Sequence, residues 1–214
     1  MQRFPKIKIC GLTLESDVDL AILLGADYFG FITYPKSPRS IRLERAIDLA
    51  SRVPEGRRVM VDIMPSLSHL EAARVGGFDF FQIHTGSQID LEMLQAYSDL
   101  VGSERLWISP RLVPGEPFPE QILELAQTIL VDTYSVNQIG GTGKTGDWAQ
   151  FSELCARYPE HQFILAGGLS PDNIMEAVRA SGADHLDVNS GVEVSPGIKD
   201  TVKLHALFEL LKRS

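Results

Sequence analysis

Short apolar runs of strand type recur along this chain, with helical patterns between them. The runs are Ile7–Cys10, Tyr28–Ile32, Arg58–Asp62, Phe78–Ile83, Leu106–Ile108, Thr128–Asp132, Gln162–Ala166 and His185–Asn189. The intervening amphipathic stretches include Ser16–Leu24, Leu43–Arg52, Ser66–Val75, Glu120–Ala126, Trp148–Tyr158 and Pro171–Ala180. Thr201–Lys212 closes the series, with Val202, Leu204, Leu207, Leu210 and Leu211 on one helical face. Alternation of this kind builds parallel βαβ units. Eight units in 214 residues leave about 27 residues each, which suits a single (βα)8 TIM barrel with short loops. The structural alternative, a doubly wound open sheet, usually carries a glycine fingerprint after its first strand. Here that strand runs into Cys10-Gly11-Leu12-Thr13, which has none. No linker, low-complexity segment or charge block divides the chain, so residues 1–214 read as one domain. Ser66 before Leu67, and Ser170-Pro171 before Asp172, are the expected starts of two helices.

Composition narrows the partners. An apolar share of 44% with 22% charged residues is enough to offset ordering entropy, so a disordered chain is excluded. The net charge of −8 disfavours nucleic acid and anionic membrane surfaces as partners, although a local basic site can still hold a small anion. No run approaches the roughly 18 apolar residues of a spanning helix, and Met1-Gln2-Arg3-Phe4-Pro5-Lys6 opens no secretory segment. Cys10 and Cys155 are too few and too far apart for a disulfide framework or a zinc pattern. A cytoplasmic protein is expected, either a monomer or a homodimer. Phe78–Phe81 and the first helix are the faces a dimer would use, or else part of the core.

In a β/α barrel, residues at the C-terminal ends of the strands face the active site. Those ends supply Cys10, Arg39, Asp62, His84, Arg111, Asp132, Gly167-Gly168 and Asn189-Ser190-Gly191. Cys10 is either a small buried hydrophobe or, with its thiol activated, a base or nucleophile. Cys155, inside a helix, reads as packing. Arg39, in Ser37-Pro38-Arg39, is either a solvated turn residue or a fork that clamps a carboxylate or phosphate. Asp132 ends a buried strand, where a carboxylate is costly unless paired or used. It either caps the following loop or acts on a substrate. Asp187 reads as a satisfied core acid or a substrate-orienting one.

Gly140-Gly141-Thr142-Gly143-Lys144-Thr145 imitates a nucleotide phosphate loop, but Gln138 stands where that pattern needs glycine. It reads instead as a mobile glycine-rich loop covering the end of the sixth strand, with Lys144 either near an anion or in solvent, and Gly141 is expected to bind phosphate. Gly167, Gly168, Ser190 and Gly191 fall in the loops after strands seven and eight, where barrels hold phosphate. Backbone N–H groups approach an anion closely there. His69, His161, His185 and His205 have no metal-ligand spacing and read as surface or structural residues, so no metal is expected.

In combination these residues resemble the phosphoribosylanthranilate isomerase family. The similar segments are Lys8-Ile9-Cys10-Gly11-Leu12-Thr13, Gly30-Phe31 through Ser37-Pro38-Arg39, and Gly140–Gly143 with Asp147-Trp148. Leu165–Asn173, Asp187–Glu193 and Pro196-Gly197-Ile198-Lys199-Asp200 continue the likeness in family order. The resemblance implies a barrel that performs an Amadori rearrangement in tryptophan biosynthesis, with a phosphorylated small-molecule substrate and no cofactor. It implies Cys10 as general base, Asp132 as general acid, Arg39 as the substrate-carboxylate ligand and Asp187 as the group that orients the substrate amine. His84 stands in the segment Gln82-Ile83-His84-Thr85-Gly86, where the family shows Q-L-H-G, and is expected to touch substrate. Departures lie there, at Asp62-Ile63-Met64-Pro65, and at Ile108–Gly115, all on the substrate side. Two rival readings stay open: a barrel isomerase for another phosphorylated aminosugar, and a catalytically silent phosphosugar-binding protein.

Overall fold

The computed structural model describes residues 4–86, 88–112, 116–133 and 148–212. Eight parallel strands close on themselves in chain order. They are β1 (Lys6–Ile9), β2 (Tyr28–Ile32), β3 (Arg58–Ile63), β4 (Phe80–His84), β5 (Leu106–Ser109), β6 (Thr128–Asp132), β7 (Gln162–Ala166) and β8 (His185–Val188). Around them run α1 (Glu15–Leu24), α2 (Leu43–Ala50), α3 (Leu67–Val75), α4 (Leu91–Val101), α5 (Trp148–Arg157), α6 (Ile174–Ser181) and α7 (Thr201–Lys212). The expected (βα)8 barrel is therefore the fold. No helix among the described residues is long and apolar enough to cross a membrane.

Strand alternation divides the apolar residues into two packed sets. Ile7, Ile9, Phe29, Phe31, Phe81 and Ile83 point outward and pack beneath the helices. Val59, Val61, Trp107, Leu130, Ile164 and Ala166 point inward with Cys10 and fill the barrel. Helix starts follow local chemistry: Ser66 Oγ accepts from His69 N at 3.2 Å, as expected, and Asp90 accepts from Met93 N at 3.0 Å.

Three details differ from expectation. The amphipathic stretch Glu120–Ala126 forms only a 3-10 helix, Glu120–Glu124. Pro117 and Pro119 delay its start and β6 follows at Thr128, so too few residues remain to propagate an α-helix. Next, α6 starts at Ile174 with Asn173 at its N-cap position, not at Ser170-Pro171. Asn173 Oδ1 accepts from Ser170 N at 2.9 Å and its Nδ2 donates to Gly168 O at 3.0 Å. Those bonds hold residues 171–173 in a turn instead of a helical one. Finally, β9 (Glu193–Ser195) and β10 (Ile198–Lys199) form a small antiparallel hairpin after β8 that the sequence pattern does not announce.

Candidate active site

The register decides which side chains share the barrel interior. Lys8 pairs with Asp187, Val61 with Gln82, Ile63 with His84 and Asp132 with Ala166, and all these positions face inward. At the lower end Tyr28, Phe80 and Trp107 pack ring against ring, with centroids 5.0–5.5 Å apart. Above them the side chains shrink or turn polar, and a cavity of about 270 Å³ opens at the C-terminal ends of the strands.

Cys10, Arg39, His84, Asp132 and Asp187 all line this cavity, together with Gly167, Gly168 and Ser190. Gly191 stands behind the wall. A methyl group on it would meet Leu169 O at 2.0 Å, so its lack of a side chain lets the loops after β7 and β8 abut. Gly167 and Gly168 take φ of 101° and 64°, conformations that side chains resist. Gly141 and the rest of its loop lie outside the described residues.

Cys10 is buried at the end of β1. Burial pushes its thiol above the ordinary value of 9.0, while the Lys8 ammonium pulls it back. Asp132 is exposed at the cavity mouth, at the end of β6. Its solvation there removes the desolvation penalty expected of a strand-end carboxylate. Between β1 and β6 round the barrel lie β8 and β7, so the two groups face the space between them from different sides.

His84 is pushed down to about 4, first by burial and then by the charge of Lys8, so its imidazole is neutral at pH 7. It shares a 2.9 Å hydrogen bond with Gln82 Nε2. With the amide nitrogen donating, the imidazole proton resides on Nδ1. Gln82 Oε1 is buried and has no hydrogen-bond partner among the described residues, which leaves an acceptor at the cavity wall.

Arg39 is neither a solvated turn residue nor held by substrate alone. Its Nε donates to both carboxylate oxygens of Glu193 at 3.0 Å, and its Nη2 to Oε2 at 2.8 Å. Lys199 Nζ reaches the same carboxylate at 3.0 Å and Asn189 Oδ1 at 3.1 Å. Burial alone would raise Glu193, but the Arg39 bond and the Lys199 charge hold its carboxyl below the usual range. The fork is thus fixed in place before any ligand arrives. Asp187 is a satisfied acid that also borders the cavity: Lys8 Nζ lies 2.8 Å from its Oδ1.

Asp62 also lines the cavity. Its Oδ2 accepts from Thr33 Oγ1 at 2.6 Å and its Oδ1 from Ile63 N at 2.7 Å, and His69 Nε2 lies 3.4 Å from Oδ2. His69 is partly exposed and also lies 3.2 Å from Thr33 Oγ1. Sequence reasoning gave no role to Lys8, Gln82, Glu193 or Lys199. Alternation from Cys10 and His84 would have placed Lys8 and Gln82 on the inward face. Glu193 and Lys199 become visible only once the hairpin folds back over the loop that carries Arg39.

Comparisons with known proteins place the chain among relatives of one name. The family model for N-(5'-phosphoribosyl)anthranilate isomerase matches residues 7–210. A protein of that name from Aquifex aeolicus is 34% identical over 214 residues, covering 98% of both chains. The crystal structure of phosphoribosyl anthranilate isomerase from Thermus thermophilus superposes with a TM-score of 0.78 at 31% identity, covering 97% of this chain and 98% of that one. A third structure, of phosphoribosyl anthranilate isomerase in complex with reduced 1-(o-carboxyphenylamino)-1-deoxyribulose 5-phosphate, gives 0.73 at 26% identity, covering 98% and 100%.

Proposed function

Since the chain belongs to the N-(5'-phosphoribosyl)anthranilate isomerase family, we propose how its own residues divide the reaction of tryptophan biosynthesis that this family performs. The enzyme converts N-(5'-phosphoribosyl)anthranilate to 1-(2-carboxyphenylamino)-1-deoxyribulose 5-phosphate. The observation that carries the division is the convergence of Cys10 and Asp132 on one cavity that is also lined by Arg39 and by the loops after β7 and β8.

Asp132, in its acid form, protonates the ribose ring oxygen and the ring opens to a Schiff base at C1. That Schiff base acidifies the proton on C2, which the Cys10 thiolate removes. The resulting enolamine takes the proton from the Cys10 thiol at C1 and gives the proton of its C2 hydroxyl to the Asp132 carboxylate, which forms the ketose and returns both groups to their starting states. No atom is gained or lost. Arg39, aimed by Glu193, holds the anthranilate carboxylate through a charge-assisted bond. Asp187 orients the bridging amine. Neutral His84 and Gln82 Oε1 face the sugar as hydrogen-bonding partners. The N–H groups of Gly167, Gly168 and Ser190 hold the phosphate, with Gly191 keeping their two loops in register and Gly141 as a further phosphate ligand. Residues 1–214 act as one catalytic domain, in the cytoplasm.

A substrate panel tests this reading. N-(5'-phosphoribosyl)anthranilate is expected to show the highest kcat/KM. An aminosugar phosphate lacking the ring carboxylate is expected to lose about 10–100-fold, the worth of one charged hydrogen bond. A higher kcat/KM for the carboxylate-free compound would overturn the assignment of Arg39 and favour the rival aminosugar isomerase.

A further inference from the structure

β1 presents two chemically active side chains to the barrel interior, Lys8 and Cys10, one alternation apart on the same face. Lys8 is only 1% exposed. An ammonium so deep is costly unless it is paired. Its partner is Asp187 on β8, directly across the register and 2.8 Å away. Asp187 borders the cavity and Lys8 does not, so the cation lies behind the floor.

Gly30 on β2 makes room for it. A methyl group at Gly30 would sit 2.9 Å from Cys10 Sγ and 3.0 Å from both Cε and Nζ of Lys8. Thiol and ammonium crowd the same point, inside the roughly 4–6 Å over which a cation favours a thiolate.

We propose that Lys8 is a positioning residue for the isomerisation: fixed beneath the floor by Asp187, its ammonium acts through Cys10 and keeps the thiolate within reach as the base. This rests on the assignment of Cys10 as that base. Other charged groups face the thiol as well. Asp187 on β8 opposes its ionisation, whereas Lys199 on β10 favours it, and Arg39 from the loop after β2 is itself coupled to it. His84 on β4 is neutral, and Asp62 on β3 and Asp132 on β6 share the cavity wall. Burial is the strongest influence on Cys10 and Lys8 the strongest counterweight.

The test compares wild type with Lys8→Met and Lys8→Arg by two readouts. One is the pH dependence of iodoacetamide labelling at Cys10, resolved from Cys155 by peptide mass spectrometry. The other is kcat/KM against pH. Lys8→Met is expected to move the labelling midpoint up by about one pH unit or more, with the rising limb of kcat/KM moving alongside. Lys8→Arg, which keeps the charge, is expected to restore most of both. The double variant Lys8→Met with Asp187→Asn leaves no buried charge unpaired, and serves if the single variant does not fold. Its labelling midpoint also rises, by less. An unmoved midpoint in every folded variant lacking the ammonium overturns the proposal. The base assignment reads out separately: a Cys10→Ala enzyme as active as wild type overturns that assignment and this proposal with it. An inactive Cys10→Ala enzyme with unmoved labelling midpoints in the Lys8 variants overturns the role of Lys8 alone.

Discussion

On β2, β4 and β5 the lower interior positions are Tyr28, Phe80 and Trp107. One alternation further on, the same strands present Gly30, Gln82 and Ser109. The lower set forms a ring-on-ring plug with Trp107 fully buried, whereas in the upper set Gln82 lines the cavity and Gly30 leaves the space that Cys10 and Lys8 enter. β1 and β8 do not share the aromatic plug. They carry Lys8, level with Tyr28 in the register, and Asp187 at the cavity wall, so the wall carboxylate is fixed from beneath before a substrate enters. Stability and chemistry are thus separated along the barrel axis by a single strand step. Large aromatic rings stabilise by burial and shape fit. The upper groups are held at a cost in burial that only mutual pairing offsets.

Substitutions at the two levels should therefore fail in different ways. Asp132→Asn, in the upper layer, is expected to lower kcat by about 10²–10⁴-fold, the usual worth of a positioned acid. Its thermal unfolding should stay close to wild type, because the carboxylate is exposed. A large drop in Tm would erase the separation. Trp107→Ala, in the lower layer, should cost about 3–5 kcal/mol of stability, measured by denaturant unfolding. The fraction that remains folded should keep most of its kcat, and a loss of kcat comparable to that of Asp132→Asn would tie the plug to the chemistry.

Arg39→Met is smaller in effect. It should raise KM by about 10–100-fold and leave kcat within a few-fold of wild type. If kcat fell while KM held, Arg39 would belong to the reacting groups. His84 gives the mildest effect and concerns pH. Its folded value of about 4 lies below the ordinary 6.5. The unfolded chain therefore takes up a proton first as pH falls, and stability contributed by neutral His84 is lost between about 6.5 and 4. His84→Gln should flatten that part of a Tm-against-pH curve. An unchanged slope would show that folding leaves the proton affinity of His84 as it is in the unfolded chain.

The same separation governs how much could be read from the residues alone. Eight strand runs, the barrel and the inward positions of Cys10, Asp132 and Asp187 follow from alternation, which is local. Lys8 is equally local: it shares one strand face with Cys10, although the motif around Cys10 gives no sign of that pairing. The fork of Arg39 was a different case. Its partner Glu193 is 154 positions away and reaches it through a three-residue strand too short to leave a periodic signal. The paired prolines at 117 and 119 announced a break, yet the apolar spacing of Glu120–Ala126 still imitated a helix. Whether an amphipathic stretch has room to propagate depends on where the next strand begins.

The central claim is that the upper layer of this barrel performs the isomerisation with Cys10 as its base. The most direct measurement follows the fluorescence of freshly made N-(5'-phosphoribosyl)anthranilate in parallel samples of buffer, wild-type protein and Cys10→Ala. Wild type should extinguish the signal far faster than buffer. Cys10→Ala should track the buffer rate to within the residual catalysis of Asp132 while unfolding at the wild-type temperature. Equal rates for wild type and Cys10→Ala, or for wild type and buffer, would contradict the account.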